Sequence, residues 1–144
     1  MGMRFNKEAI HFQFDFLNDD IPGPNELFKS NSKVPDGLLE AFKNNKKILF
    51  LINPPYAAGT SREGSSNISD TKMNKEMVSD GCGRAAQNLY TQFLYRICKL
   101  KKEYNLSNIY ISIFCPTLFM TGPAFKTFRN YFFNDFTYVN GFQF

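Results

Sequence analysis

The chain is poor in histidine and cysteine, which supply most acid–base, redox and metal-binding chemistry in proteins. Its 144 residues include one histidine, His11, and three cysteines, Cys82, Cys98 and Cys115. The cysteines are odd in number, widely spaced and without a Cys-x-x-Cys pair, which indicates reduced thiols in a cytoplasmic protein and no metal site. A catalytic cysteine is not expected, because His11 lies in an apolar strand pattern that favours a packed or edge imidazole over a base.

Long apolar runs are also missing. No run approaches the length needed to cross a membrane, and the first residues, Met1–Phe5, do not resemble a signal peptide. We therefore expect a cytoplasmic protein without membrane contact. The hydrophobic content of 43% and the seventeen phenylalanines predict a folded protein, and the length predicts one domain with a sizeable core.

The net charge of +4 is unevenly distributed. The first forty residues contain four Lys or Arg and seven Asp or Glu, whereas the remainder contains thirteen and six. This asymmetry is compatible with a nucleic-acid-binding face. Arg96, Lys99 and Lys102 share one side of a predicted helix, where they could contact phosphates or simply solubilise the outer surface of that helix.

Hydrophobic periodicity predicts alternating strands and helices. Strands are predicted at residues 9–16, 48–52 and 109–115, with another beginning at Thr137. Helices are predicted from an Asp36 cap to about residue 45, at residues 84–103, and from Thr121 onward with Phe125, Phe128, Phe132 and Phe136 on one face.

This alternation predicts an α/β fold with a mainly parallel sheet flanked by helices. We expect at least three parallel strands, with residues 48–52 central and residues 109–115 beside them or across a ligand crevice. Residues 18–36 and 57–83 are predicted loops. The second contains at most one helical turn, around Met73 and Met77, and could close over a substrate.

The most informative segment is Asn53-Pro54-Pro55-Tyr56, which follows the unbroken apolar run at residues 48–52. Such a run is typical of a parallel strand buried on both faces. The two prolines end the strand, because they cannot donate to a ladder and each fixes its own φ. A rigid turn is therefore expected at the carboxyl end of a buried strand, where α/β sheets bind ligands. The alternative is a plain strand-terminating turn.

Asn-Pro-Pro-Tyr after an apolar strand resembles the catalytic motif of S-adenosylmethionine-dependent amino-group methyltransferases, above all the DNA adenine methyltransferases of restriction–modification systems. Residues 11–17 are similar to the strand and Asp-Phe-Leu turn that precede this motif in the family, and residues 87–94 resemble the helix that follows it. The likeness covers most of the chain, but only the tetrapeptide is specific. It implies a partial Rossmann-like methyltransferase domain, with residues 1–144 forming the C-terminal part of the catalytic domain.

The chemistry of adenine methylation explains the residue types of the turn. The exocyclic nitrogen of adenine is a poor nucleophile, because its lone pair is delocalised into the ring. The Asn53 side-chain oxygen and the Pro54 carbonyl can accept hydrogen bonds from its two N–H groups and so favour positive charge on that nitrogen. Pro54 and Pro55 supply rigidity, and Tyr56 offers a face on which an extruded base can stack.

The resemblance also implies cofactor contacts. Asp15 matches the residue that binds the amino group of the adenine of S-adenosylmethionine, and Phe16 would lie against the ring; a strand-end Asx turn is the alternative role of Asp15. Residues 79–85 are similar to the Gly-rich cofactor loop, but they do not follow a buried strand. A Gly-rich lead into the long helix is therefore the preferred interpretation.

With the Gly-rich loop and a target-recognition domain missing, we expect a fragment or degenerate relative of a larger methyltransferase, inactive alone. The expected function is N6 methylation of a flipped adenine, with S-adenosylmethionine as methyl donor and double-stranded DNA and other restriction–modification subunits or domains as partners. Methylation of rRNA bases or protein glutamine amides with the same motif is an alternative. So is a non-catalytic nucleic-acid-binding or assembly module. Phe142 or Phe144 could correspond to a second base-stacking residue late in the resembling enzymes, but core packing is the preferred interpretation of both.

Overall fold

The computed structural model describes residues 8–26, 32–55 and 69–143. Two strands and five helices lie in these ranges, and short 3-10 turns precede two of the helices. In chain order the elements are α1 (Asp36–Lys43), β1 (Ile48–Ile52), α2 (Lys72–Ser79), a 3-10 turn (Ala85–Gln87), α3 (Leu89–Glu103), β2 (Ile109–Ile113), α4 (Leu118–Thr121), a 3-10 turn (Pro123–Phe125) and α5 (Lys126–Phe133).

The two strands pair in parallel, with Ile48 opposite Ile109 and Ile52 opposite Ile113. The prediction that the second strand lies beside the first is therefore confirmed, and the mixed architecture is compatible with an α/β fold. Within the described ranges the sheet has two strands instead of the predicted three or more. A sheet of this size does not by itself define a Rossmann-like domain.

Among the described residues the sheet is covered on one face only, so the prediction of a strand buried on both faces is wrong. Phe50 points inward, whereas Leu49 and Leu51 are 63% and 71% exposed. Tyr110 lies on the same exposed face. An unbroken apolar run indicates burial on both sides only where helices cover both sides, and the described helices pack on one.

Helix α3 is the centre of the core, because it contributes to two hydrophobic clusters. One joins it to α2 and α5 through residues such as Met73, Leu94 and Phe128. The other joins it through Ile97 to α1 and the inner face of the sheet. Fully burying a side chain of this kind contributes about 1.5–3 kcal/mol. The predicted helix at 84–103 is confirmed, apart from the 3-10 turn at its start.

Helix α2 lies where a loop was predicted. The Thr71 hydroxyl caps it by accepting a hydrogen bond from the Asn74 N–H at 3.0 Å. Met73 and Met77, one turn apart, are fully buried. Two apolar residues are a weak periodic signal, and packing against α3 stabilises this short helix more than its own propensity does. Residues 57–68 of the predicted loop lie outside the described residues.

The predicted strands at residues 9–16 and from Thr137 onward are wrong, because residues 9–16 and 137–143 have irregular backbone. In the first segment alternate aromatic side chains dock individually on the core, which mimics the two-residue period of a strand. His11 is exposed, so of the packed and edge positions expected for it, the packed one is excluded. Phe142 is 87% exposed, so its expected burial is also wrong. Phe144 lies outside the described residues.

A smaller correction concerns the start of helix α1. Pro35 occupies the N-cap of α1 and Asp36 is its first residue, so Asp36 is not the cap. Its carboxylate still lies in the first turn, where negative charge is favourable. Of the helices in the described ranges, none combines the length and hydropathy required for a membrane span.

Tyr90 gives a test of the packing between α3 and the C-terminal helices. Its ring lies 6.3 Å from the rings of Phe119 and Phe125, and burial raises its pKa to about 12. Within the described part of the chain its buried hydroxyl has no hydrogen-bond partner, an arrangement that costs about 1–3 kcal/mol. Tyr90→Phe is therefore expected to raise the free energy of unfolding by about 1 kcal/mol in urea titrations followed by circular dichroism.

Tyr95 on the same helix is the matched control. Its hydroxyl donates to Asp80 Oδ2 at 2.7 Å, so Tyr95→Phe is expected to lower the free energy of unfolding by about 1 kcal/mol. Equal losses of stability in the two variants would show that the Tyr90 hydroxyl is hydrogen-bonded, contrary to the expectation.

Candidate active site

The Asn-Pro-Pro turn leaves the sheet at the carboxyl end of β1. The ladder continues to the turn itself, because the Phe114 N–H donates to the Ile52 carbonyl at 3.0 Å. The residue before the turn is therefore held by the neighbouring strand. The structure thus places Asn53 at the sheet edge where parallel α/β sheets bind their ligands.

The three described residues of the turn differ in burial. Asn53 is exposed, Pro54 is buried and Pro55 is exposed. The alternation of β1, in which Ile52 points inward, continues through Asn53, so its amide lies on the outer face of the sheet. A buried proline ring next to an exposed amide anchors the turn and leaves the amide on the surface. Tyr56 lies outside the described residues.

Asp15 forms an Asx turn with its own neighbours. Its Oδ1 accepts the Leu17 N–H at 3.0 Å, and its Oδ2 accepts the Asn18 side-chain amide at 2.8 Å. The Asp19 N–H also donates to the Asp15 carbonyl, at 2.8 Å. Both carboxylate oxygens therefore stabilise the turn, and cofactor binding by Asp15 stays a prediction that requires these bonds to be exchanged.

Phe16 is part of the packing between the sheet and α3. Its ring lies nearly parallel to that of Phe93, with centroids 5.4 Å apart, and 6.2 Å from the ring of Phe50. Phe50 is on the inner face of β1, whereas Asn53 continues the outer face. The structure therefore brings Phe16 to the sheet but not to the face that carries Asn53.

The Gly-rich segment at residues 79–85 caps α2 and follows a helix, as the preferred interpretation requires. The Gly81 N–H donates to the Val78 carbonyl at 3.1 Å, and the Cys82 N–H donates to the Met77 carbonyl at 2.8 Å. This pair of bonds is a Schellman motif, which needs a left-handed residue, and Gly81 has a φ of 79°. The glycine therefore has a structural role at the end of a helix.

The basic residues proposed for phosphate contacts have partners within the protein. Arg96 is buried, and its guanidinium donates to the Asp19 carbonyl at 3.0 Å. Lys99 pairs with Glu76, and Lys102 pairs with Asp135 at 3.1 Å. Because Arg96 is buried, it cannot contact a phosphate of DNA. The interpretation of Arg96 as a phosphate-contacting residue is therefore wrong. Packing of α2 and of the segment around Asp19 against this side of α3 is the reason.

These lysines border a surface depression of about 330 Å³ on α3, away from the Asn-Pro-Pro turn. Its polar groups largely bind one another: Glu76 pairs with Lys99, and Asp80 accepts the Tyr95 hydroxyl. The Lys102 ammonium lies 3.9 Å from the centre of the Tyr131 ring. This mutual pairing stabilises the contacts of α3 with α2 and α5 and gives the depression no evident chemistry.

The three cysteines are not activated as nucleophiles. Burial raises the pKa of the Cys98 thiol to about 12 and raises the pKa values of the Cys82 and Cys115 thiols above their usual range. The thiolate is the reactive form, so at neutral pH these groups are almost entirely unreactive thiols.

Phe114 is the residue at this edge that sequence reasoning missed. It follows β2 directly, lies beside Asn53 in the parallel register and is 50% exposed. In the sequence it is a phenylalanine at the end of a predicted strand, and its position beside Asn53 follows only once the register of the two strands is known.

Comparisons with known proteins identify no relative: no protein-family model matches the chain, and no curated protein or solved structure matches it either.

Proposed function

We propose that this chain is part of an enzyme that methylates the exocyclic amino group of adenine in DNA, with S-adenosylmethionine as the methyl donor. One observation carries the proposal: an Asn-Pro-Pro turn at the carboxyl end of a parallel strand, with Asn53 exposed and Pro54 buried. This placement supports the proposal because the carboxyl ends of parallel strands are where α/β sheets bind their ligands. We also propose that the two-stranded sheet is part of a larger Rossmann-like domain.

The chemistry assigned to the turn is the acceptance of two hydrogen bonds. The Asn53 side-chain oxygen accepts a hydrogen bond from one amino N–H of adenine, and the Pro54 carbonyl accepts one from the other. In methyl transfer the nitrogen would bond to the methyl carbon as the methyl–sulfur bond of the donor breaks, and it would carry positive charge until it releases one of its protons to solvent. Both acceptors would bind the N–H groups of that charged state more strongly than those of the ground state. Stabilisation that grows with developing charge lowers the barrier. Tyr56 is proposed to stack on the base.

The residues assigned to the cofactor do not fit it as the structure stands. Both Asp15 oxygens accept hydrogen bonds inside their turn, and the Phe16 ring is stacked on Phe93. The loop at Gly81 is a helix cap. Accordingly, no step of the reaction is assigned to a cofactor bound by these residues.

The isolated chain is therefore expected to bind S-adenosylmethionine with a Kd weaker than about 1 mM, equivalent to about −4 kcal/mol. Isothermal titration calorimetry measures this directly. Micromolar binding would contradict the expectation, and two variants would then locate the site. Loss of binding in Asp15→Asn would assign it to the Asx turn, and loss in Asp80→Asn to the helix-capping loop.

The proposed function is tested by incubating a protein that contains this chain with labelled S-adenosylmethionine and, in parallel reactions, with DNA, rRNA or a glutamine-containing protein. The expected product, identified by mass spectrometry after digestion to nucleosides, is N6-methyladenine in DNA. Label found only in rRNA bases or in glutamine side chains would reassign the substrate. Absence of methyl transfer to all three substrates would support a non-catalytic binding or assembly module.

A further inference from the structure

We propose that Phe114 forms one wall of the site that holds the adenine ring beside Asn53. The inference rests on the proposed function and adds a residue to the substrate site. It is based on the register of the two strands, which brings Phe114 next to Asn53 at the carboxyl edge of the sheet, where β1 and β2 both end.

Three observations place Phe114 and Asn53 side by side. The register that pairs Ile52 with Ile113 makes Asn53 and Phe114 the next opposed residues. The bond from the Phe114 N–H to the Ile52 carbonyl, at 3.0 Å, extends the ladder to this point. Neighbouring strands are about 4.8 Å apart. The backbones of the two residues are therefore close enough for their side chains to contact one small planar molecule.

The two side chains also share a face. Burial alternates along β2 and onward, with Ile111 and Ile113 turned inward and Phe114 exposed, just as Ile52 is turned inward and Asn53 exposed in β1. Phe114 is 50% exposed. Within the described ranges no other aromatic ring packs against it, whereas the rings of the inner face are packed against one another.

A phenyl ring and an amide oxygen supply complementary contacts to adenine. The ring binds the flat face of a base irrespective of its hydrogen-bonding groups, since every base has a π-face. The Asn53 oxygen recognises the amino hydrogen at the base edge. Held together by the ladder, the two groups fix both the plane of the ring and the direction of its amino group, as catalysis by positioning requires.

Tyr110 offers a matched control, because it is the other exposed aromatic residue on this face of β2. It is 51% exposed and precedes Phe114 by four residues. At about 3.3 Å per residue this separates the two positions by about 13 Å, beyond the reach of one base. If Phe114 aids nucleoside binding only because this face of the sheet is apolar, Tyr110 should aid it as well. If Phe114 aids binding because it lies beside Asn53, Tyr110 should not.

The experiment is an NMR titration of the chain with adenosine and with purine riboside, which has the same ring system without the amino group. Phe114→Ala is expected to weaken binding of both nucleosides by about 5- to 150-fold, the range for loss of one base–aromatic stack. Phe114→Tyr should retain binding and Tyr110→Ala should leave it unchanged. Asn53→Ala should weaken binding of adenosine only.

The outcomes separate this inference from the proposed function. Suppose that Phe114→Ala binds both nucleosides as wild type does, and that Asn53→Ala loses the preference for adenosine. The inference about Phe114 would then be overturned, whereas the role of the turn in recognising adenine would stand. Loss of both nucleosides in Phe114→Ala without any wild-type preference for adenosine would support the wall and count against the proposed reaction. Equal losses in Phe114→Ala and Tyr110→Ala would overturn the inference, as would the failure of wild-type protein to bind either nucleoside.

Discussion

Asn53→Ala is expected to lower kcat for DNA adenine methylation by about 10²–10³-fold in an enzyme that contains this chain. The substitution removes one of two acceptors whose hydrogen bonds strengthen only as charge develops on the adenine nitrogen. The effect therefore falls on the chemical step. Affinity for DNA should change little, because an exposed neutral amide at the end of β1 forms no ion pair with phosphate.

The measurement is single-turnover methyl transfer combined with a DNA-binding titration. Ser112→Ala is a suitable control, because Ser112 is exposed on the same face of the sheet, in register with Leu51, two residues before the edge. It should keep wild-type turnover. If Asn53→Ala also keeps wild-type turnover, the turn is structural only, and a non-catalytic module becomes the better interpretation.

The regular core of this protein was predictable because its signals are local. The apolar stripe along α3 and the apolar runs of β1 and β2 specify their elements within a few residues. β1 and β2 are successive strands in the described chain, and successive strands usually lie side by side. The same reasoning located the turn at Asn53, because prolines end a strand wherever the surrounding fold places it.

The features that were predicted wrongly or missed depend on contacts between segments that are distant in the sequence. Burial of one face of β1 is decided by what packs on the sheet, which a run of apolar residues does not state. Residues 72–79 form a helix because two methionines contact α3. Phe114 was missed for a related reason: only the register places it beside Asn53. Sequence therefore located half of the candidate site, and pairing of the strands located the other half.

Phe128→Ala is expected to lower the free energy of unfolding by about 3–5 kcal/mol, the usual cost of removing a phenyl ring from a packed core. Phe128 in α5 is 1% exposed, belongs to the cluster that joins α5 to α2 and α3, and lies 6.0 Å from the ring of Phe132. A domain of this kind is stable by about 5–15 kcal/mol, so the loss is a large fraction of the total.

Urea unfolding followed by circular dichroism measures the effect of Phe128→Ala. Phe142→Ala is its matched control, because Phe142 is 87% exposed and its truncation should change stability by no more than about 0.5 kcal/mol. Should Phe128→Ala not fold, Phe128→Leu, which keeps most of the side-chain volume, is expected to fold with a smaller loss. Equal stability of the Phe128→Ala and Phe142→Ala proteins would contradict the packing of α5 against α3.

Helix α5 matters for the candidate site as well, because Arg129 of α5 donates to the Phe119 carbonyl at 3.0 Å. This hydrogen bond connects α5 to the segment that follows Phe114.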